Sequence, residues 1–138
     1  MKALSVRAPW WWFILHGKDI ENRGPKFPRT VTGAFWLHAS KWWDEEEVQW
    51  DMEDALEMAQ RAGLTLPAFV DLVSMRSFGG MIVGSAEVVK YVDASDSPWF
   101  VGETGIVLRN PVPLATPVPL RGMLGWFEVP EGLIGDAA

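Results

Sequence analysis

Residues 9–15, Pro-Trp-Trp-Trp-Phe-Ile-Leu, constrain the fold of this chain more than any other stretch. A proline suits the first turn of a helix, and the six residues after it are apolar on every side of that helix. Such a helix has to be covered on nearly all faces by other elements. Gly17 is suited to end it, because glycine readily adopts a left-handed backbone conformation. The sequence therefore predicts a buried helix that fixes the position of whatever follows Gly17.

The stretch that follows is a dense group of charges, Gly17 to Arg23, reading Gly-Lys-Asp-Ile-Glu-Asn-Arg. From Asp19 onward it alternates around the apolar Ile20, which is typical of a half-buried strand with Glu21 and Arg23 on one face. Lys18 has the opposite parity and joins them only if the turn after Gly17 swings it round. A solvated turn and a functional site both fit this run. The fixed exit from the helix favours a site.

The length of 138 residues suits one domain with a real core, which we place at residues 1–130, with a loose tail at 131–138. The chain has no cysteine and two histidines, so disulfides and thiolate zinc sites are excluded, and we expect neither a metal nor a cofactor. Arg7 comes too early for a signal peptide, and no apolar run is long enough to span a membrane. These features predict a cytoplasmic protein that has no membrane partner.

The net charge of −6 limits the possible partners. Proteins that coat nucleic acids or grip a duplex neutralise phosphates with lysine and arginine, so an acidic domain is a poor candidate for that role. Any nucleic-acid function must therefore be local, in a pocket or groove that carries its own positive charge. Nine tryptophans and seven phenylalanines mostly predict core, with a minority available for stacking on bases.

The remaining elements are predicted from local patterns. Residues 3–6 and 34–39 are expected to be strands, and Asp44 to cap a helix that ends near Gly63, with a short helix from about Pro67 to Leu72 or Val73. Further strands are expected at Met81–Val92, Gly105–Leu108 and Met123–Val129. The prolines between the last two suit edges and bulges. Together these elements predict an α+β fold, a small mixed β-barrel of five or six strands with two or three helices packed on it.

Several motifs, in this order along the chain, resemble those of the ASCH domain family. They are Leu4-Ser5-Val6-Arg7 with Pro9-Trp10, the run Gly17–Arg23, Leu37-His38-Ala39-Ser40-Lys41, Gly80 with Val83-Gly84 and Glu87, Ser97-Pro98-Trp99-Phe100, Gly105–Leu108 and Gly122–Val129. The family signature is Gly-x-Lys-x-x-Glu-x-Arg, and the likeness is to its bacterial and phage-borne members. The resemblance implies a PUA-like barrel with a cleft beside the signature loop, in a superfamily associated with RNA.

The chain departs from the family pattern at three positions. His16 stands where the signature has its first glycine, and Ala8 and Trp11 replace the glutamine and the small residue of many relatives. One subgroup resembles amidohydrolases that deacylate N4-acetylcytidine with a lysine and a threonine of this loop. Lys18 matches the lysine, but Glu21 stands in place of the threonine. The resemblance therefore does not carry that activity to this chain.

The residue types suggest individual roles for the candidate site. Lys18 could act as a base if desolvated or hold a phosphate if charged, Arg23 offers a planar fork for phosphate or a base edge, and Glu21 could accept from an amine or pair with both. Stacking on a base is possible for Trp10 and Trp99, and His38 is expected to be a packed core histidine. The predicted ligand-binding residues are Ser5, Arg7, Trp10, Lys18, Glu21, Arg23, Ser40, Lys41 and Trp99.

Three hypotheses follow for function. The first is a module that binds RNA, a nucleotide or a modified nucleoside in a local cleft. The second is a small hydrolase, of the amidohydrolase or ribonuclease type, with Lys18 as base and Glu21 as its partner. The third is a protein-interaction module with its surface at Trp42 and Trp43, for which the sequence identifies no protein partner.

Overall fold

A six-stranded mixed sheet curled into a half-barrel, with three helices, forms the fold. The structure is a computed structural model that describes residues 1–68 and 71–135. The strands are β1 (Lys2–Val6), β2 (Ile20–Arg23), β3 (Gly33–Ala39), β4 (Met81–Val92), β5 (Thr104–Pro119) and β6 (Trp126–Glu128), and the helices are α1 (Trp10–Leu15), α2 (Glu45–Arg61) and α3 (Leu72–Ser77). The predicted α+β barrel-like architecture is confirmed.

The strand order is β2-β5-β4-β3-β1-β6. The β1–β3 pair is parallel and all the other pairs are antiparallel. The two ends of the sheet, β2 and β6, do not pair with each other. Arg23 of β2 instead donates a hydrogen bond of 3.0 Å from Nη2 to the carbonyl oxygen of Ser5 in β1. One side chain of the charged run thus spans the open side of the half-barrel.

Helix α1 lies against the concave core, as its composition requires. Trp11, Phe13 and Ile14 are buried, and the helix contacts α2, β3 and β5. The chain leaves it through Gly17, whose φ is +120°. A Cβ on Gly17 would come within 2.6 Å of the Leu64 side chain, which would have to move, and the backbone conformation itself favours glycine here. The charged run therefore starts from a fixed point.

Helix α2 has the predicted start and end. The Asp44 side chain accepts a hydrogen bond of 3.0 Å from the amide of Glu47, which satisfies one of the free donors of the first turn. Gly63, with a φ of +69°, follows the last turn. Helix α2 is thus a scaffold element whose buried stripe, with Val48 and Ala55 at its centre, packs on the core.

Three predicted elements are wrong in their extent. The strand expected at Met123–Val129 is shorter, because β6 covers only Trp126–Glu128. Helix α3 begins at Leu72 with Asp71 as its cap and ends at Ser77, so the short helix lies later than predicted. Pro67 is outside any helix, and residues 69 and 70 lie outside the described residues. An aspartate cap inside the expected helix was the signal for the later start.

Strand β5 is the third difference, because it continues through all four prolines that we took to separate two strands. It pairs with β2 only over residues 104–107, and Pro113 and Pro119 face Gly84 and Met81 of β4. Register shifts interrupt this ladder at three points. Prolines are tolerated here because the outer side of this half of β5 has no neighbour in the described sheet.

The chain end packs further than expected. Ile134 is buried in a second small cluster with Ala3, Ile82, Phe127 and Val129. The last part of the predicted tail, residues 136–138, lies outside the described residues. No helix within residues 1–68 and 71–135 is long and apolar enough to cross a membrane.

Candidate functional site

A cleft of about 1520 Å³ opens beside the charged run. Most of the predicted site residues line it: Ser5, Arg7, Trp10, Glu21, Arg23, Ser40 and Lys41. They come from β1, α1, β2 and the segment after β3, which are distant in sequence. The half-barrel brings these elements together at one end, where β1 and β3 run in parallel.

Lys18, Glu21 and Arg23 form one continuous set of hydrogen bonds, which we call the buried ion chain. Lys18 Nζ lies 3.2 Å from Glu21 Oε1, and Arg23 Nε lies 3.1 Å from Glu21 Oε2. Lys18 Nζ also donates to the Ile20 carbonyl oxygen, and Arg23 to that of Ser5. Both carboxylate oxygens of Glu21 are therefore engaged by cations. The turn after Gly17 does bring Lys18 round to its partners.

Burial decides how Lys18 behaves. The residue is only 3% exposed, and burial lowers the pKa of its ammonium, while the Glu21 carboxylate opposes that shift. Its Nζ also lies 5.5 Å from the centre of the Trp10 ring. Lys18 lines a smaller pocket of about 360 Å³, together with Trp10, Asp51 and Asp54, and is not on the wall of the large cleft.

The small pocket contains a second perturbed group. Burial raises the pKa of Asp51, and a hydrogen bond from the Trp10 side chain opposes that shift. Trp10 and Glu21 each line both cavities, so the small pocket and the large cleft adjoin at the half-buried indole and at the buried ion chain.

Three cations face the large cleft without ion-pair partners among the described residues, and we call them the open cations: Arg7, Lys41 and Arg121. All three are exposed. The Arg7 guanidinium carbon lies 4.0 Å from the centre of the Trp42 ring, which holds the charge in place on an aromatic face. With Arg23 they outnumber the two carboxylates on the wall, Glu21 and Glu103. The cleft is thus locally positive in an acidic chain.

Asn22 shapes the wall next to the charged run. Its Nδ2 donates to the Trp99 carbonyl oxygen at 2.8 Å, and its Oδ1 accepts from the amides of Val101 and Gly102 at 3.0 and 3.2 Å. These bonds fix residues 99–102, of which Val101 and Gly102 line the cleft. The sequence analysis gave Asn22 no individual role, although a carboxamide between two ion-pair partners was a signal.

Trp99 is not available for stacking on a ligand. Its ring is 1% exposed and packs on Phe13 at a centroid distance of 5.8 Å, and it lines neither cavity. The indoles on the cleft wall are those of Trp10 and Trp42. Trp99 is the one predicted site residue that packs in the core and lines neither cavity. This agrees with the general tendency of tryptophan to pack in protein cores.

The segment from Leu120 to Gly125 forms a wall that the sequence analysis missed. It contributes Arg121 together with the exposed apolar side chains of Met123 and Leu124. Leu124 is fully exposed, at 100% of its reference area. The signal in the sequence was an arginine followed by two apolar residues that stand between glycines. Their position on the cleft wall follows only from the pairing of β5 with β4.

His38, which was expected to pack in the core, is 1% exposed. Its Nε2 lies 2.6 Å from the Leu120 carbonyl oxygen, and its Nδ1 lies 2.9 Å from Ser5 Oγ. Burial lowers the pKa of this imidazole, while the Leu120 carbonyl opposes that shift. The ring is therefore held neutral at pH 7, buried at the base of the cleft.

A comparison of the chain with protein-family models finds no match, and a search of curated proteins finds none either. The resemblance to the ASCH family accordingly stays a prediction from the motifs and enters the proposal below.

Proposed function

We propose that this chain is an ASCH-type, PUA-like domain whose large cleft binds a nucleotide, a modified nucleoside or a short stretch of single-stranded RNA. The observation that carries the proposal is the local charge of the cleft. Three open cations face it in a chain whose net charge is −6. An acidic protein that keeps several unpaired cations together at one concave site is suited to bind an anion at that site.

The shape and composition of the wall support a nucleotide over a bare anion. Arg7 is stacked on Trp42 and presents the rest of its planar guanidinium for hydrogen bonds to phosphate oxygens. The half-buried indole of Trp10 and the exposed side chains of Val101 and Met123 offer apolar contact for a base. The volume of about 1520 Å³ exceeds what one phosphate needs.

Fluorescence anisotropy with labelled single-stranded RNA hexamers of each base tests this proposal. We expect saturable binding that weakens about tenfold or more in Arg7→Gln/Lys41→Gln, because each hydrogen bond to a charged group contributes about 1.5–3 kcal/mol. The matched control is Lys26→Gln/Lys90→Gln, which removes two exposed lysines outside the cleft. An equal loss in both double variants, or no binding of any hexamer or nucleoside monophosphate, would refute the proposal.

The hydrolase hypothesis built on Lys18 and Glu21 is less favoured by the geometry. The polar atoms of both side chains are engaged within the buried ion chain, and Lys18 faces the small pocket. A ligand would have to break these contacts before Lys18 could act as a base. This hypothesis stays a prediction.

The protein-interaction hypothesis finds little support at Trp42 and Trp43. Arg7 covers Trp42, and Arg76 lies 5.4 Å from the Trp43 ring, whose Nε1 donates to Glu45 at 2.8 Å. Both indoles are half-buried. These contacts cover both indoles, whereas this hypothesis needs a large exposed apolar patch.

A further inference from the structure

Ser5 and His38 form a serine–histidine pair on the wall of the large cleft. They are register partners in the parallel β1–β3 pair, and Ser5 Oγ lies 2.9 Å from His38 Nδ1. Both residues line the cleft, and Ser5 is only half-buried. The buried ion chain uses the carbonyl oxygen of Ser5 and leaves its hydroxyl free for this contact.

The direction of the hydrogen bonds follows from the third partner. A carbonyl oxygen only accepts, so His38 Nε2, at 2.6 Å from the Leu120 oxygen, must carry the ring proton. In the neutral ring Nδ1 is then an acceptor, and Ser5 Oγ–H donates to it. The Leu120 backbone is itself fixed, because its amide donates to the Gly80 carbonyl oxygen at 3.0 Å. Hydrogen bonds thus link a nucleophile to a base, and the base to a group that orients it.

Two backbone features surround this pair. The β3–β4 ladder shifts register between Leu37 and His38, which is a local irregularity of the kind that turns a side chain towards a site. Gly122 lies directly over the pair, and a Cβ there would be 2.7 Å from His38 Cε1 and 3.2 Å from Ser5 Oγ. Glycine at this position keeps free the space that any larger residue would take from the hydroxyl.

We propose that Ser5 is a nucleophile, activated by His38 as general base, that attacks the carbonyl carbon of an acyl ester bound in the cleft. A packed pair without reactivity would satisfy the same hydrogen bonds, but it would not require a half-buried hydroxyl on the wall of a positively charged cleft. Burial of the imidazole keeps the ring unprotonated, so the base is in the required form at pH 7.

The reaction balances with these groups and water alone. His38 Nδ1 takes the hydroxyl proton while Ser5 Oγ bonds to the carbonyl carbon, and the carbonyl electron pair moves to oxygen. The tetrahedral intermediate then breaks its bond to the alcohol oxygen, which leaves with the proton from Nδ1. Water repeats the sequence on the acyl-serine and releases the carboxylic acid. The Leu120 carbonyl accepts from Nε2–H throughout and favours the transient imidazolium.

The class of substrate rests on the proposed function. If the cleft binds nucleotides, the leaving alcohol is a ribose hydroxyl of an acylated nucleotide or RNA end, with the open cations on its phosphate. The nucleophile itself rests only on the Ser5–His38 geometry. Binding of RNA and reactivity of the serine can therefore fail independently.

Labelling with a fluorophosphonate, followed by intact mass and peptide mapping, tests the nucleophile without a known substrate. The serine oxygen displaces fluoride from phosphorus, so each labelled chain carries one phosphonyl group. We expect one adduct on Ser5 in the wild type, none in Ser5→Ala, and labelling about 100-fold slower in His38→Gln. The matched control is Ser77→Ala, which changes an exposed serine outside the cleft whose Oγ donates to the Ser74 carbonyl oxygen at 2.6 Å. It should label as the wild type does.

A second measurement uses the absence of cysteine from the chain. Ser5→Cys and Ser40→Cys each introduce a single thiol, and iodoacetamide at pH 6.5 reports its thiolate fraction. An unperturbed thiol is about 1% ionised there, so we expect Ser5→Cys to react at least about tenfold faster than Ser40→Cys. Adding His38→Gln should remove that difference.

Any of three results overturns the proposal. The first is the absence of an adduct on Ser5 when the folded wild type is treated with excess probe. The second is a labelling rate that is unchanged in His38→Gln, and the third is equal alkylation of the two cysteine variants. If RNA binds and Ser5 stays unlabelled, the cleft is a binding site only. If Ser5 is labelled and no RNA binds, the proposed function fails and the nucleophile remains.

Discussion

The buried ion chain and the open cations are two sets of charges that lie within one small region and behave in opposite ways. In the buried ion chain of Lys18, Glu21 and Arg23, each charge is matched by an opposite charge or a carbonyl oxygen inside the protein. Arg7, Lys41 and Arg121 have no such partner among the described residues and face the cleft. The run that resembles the ASCH signature falls on the first set.

The two sets of charges are therefore suited to different roles. The buried ion chain stabilises the fold, and the open cations are suited to bind a ligand. Lys18, Glu21 and Arg23 connect the exit of α1 to β2, and β2 to β1 across the open side of the half-barrel. Their charges are neutralised where they are, so they have little attraction left for an external anion. The open cations carry their full charge into solvent and would gain a partner on binding. Three changes to the protein would break or sharpen this distinction.

The largest effect is expected from Glu21→Gln, which leaves two cations without their shared carboxylate. Removing one partner of a buried ion pair should lower the free energy of unfolding by about 3 kcal/mol at pH 7, measured by urea denaturation. Glu128→Gln is the control, because Glu128 pairs with Lys2 at the surface, where solvent screens the pair and its loss should lower the free energy of unfolding far less.

The pH dependence of that loss gives a further test. Burial lowers the pKa of Lys18, and loss of the Glu21 carboxylate lowers it further, since that carboxylate opposes the shift. A lysine with a lowered folded pKa binds fewer protons folded than unfolded, so stability rises with pH up to its unfolded pKa near 10.5. The deficit of Glu21→Gln should therefore shrink as the pH rises from 7 towards 10.5. A constant deficit would show that Lys18 charge is not its cause.

An intermediate effect is expected from Asn22→Ala, which lies between the two sets. It removes three hydrogen bonds to residues 99–102, and at about 0.5–1.5 kcal/mol each the total loss should be about 2 kcal/mol. Amide exchange of Val101 and Gly102 should accelerate with it. Asn110→Gly is the control, since Asn110 has a φ of 52° and a single exposed bond to Glu87. Unchanged exchange at residues 101 and 102 would contradict the assigned role.

The smallest effect on stability is expected from Arg7→Gln/Lys41→Gln. Both side chains are exposed and make no ion pair with a described residue, so the free energy of unfolding should change by about 0.5 kcal/mol or less. The slope of log binding constant against log salt concentration for single-stranded RNA should fall by about 0.7 for each cation removed. A large loss of stability with an unchanged salt slope would reverse the comparison.

The sequence predicted best what local patterns determine. The helix α1, the cap at Asp44 and the strand around Ile20 each depend on a few neighbouring residues, and the structure contains all three. The pairing of Glu21 with Arg23 also follows from strand parity alone. Whether Lys18 reaches the same carboxylate depends on the turn at Gly17, and the sequence alone did not determine the course of that turn. In the structure the turn brings Lys18 to Glu21.

What the sequence did not determine depends on contacts between distant segments. The prolines of β5 were read as the end of a strand, because a local pattern does not show that one side of that strand has no neighbour. Arg121 reached the cleft wall through the same strand. Ser5 and His38 are 33 residues apart, and only the parallel pairing of β1 with β3 brings them into hydrogen-bond distance.

The prolines of β5 have one more consequence, for how the protein behaves at high concentration. An unpaired strand edge is a template on which a strand of another copy can add, and repeated addition leads to aggregation. Four of the residues from 111 to 119 are prolines, which have no amide hydrogen to offer an incoming strand. Replacing them with valine would strengthen the local β propensity and expose a continuous row of donors. The same residues that hid this strand from sequence-based prediction thus protect it from self-association.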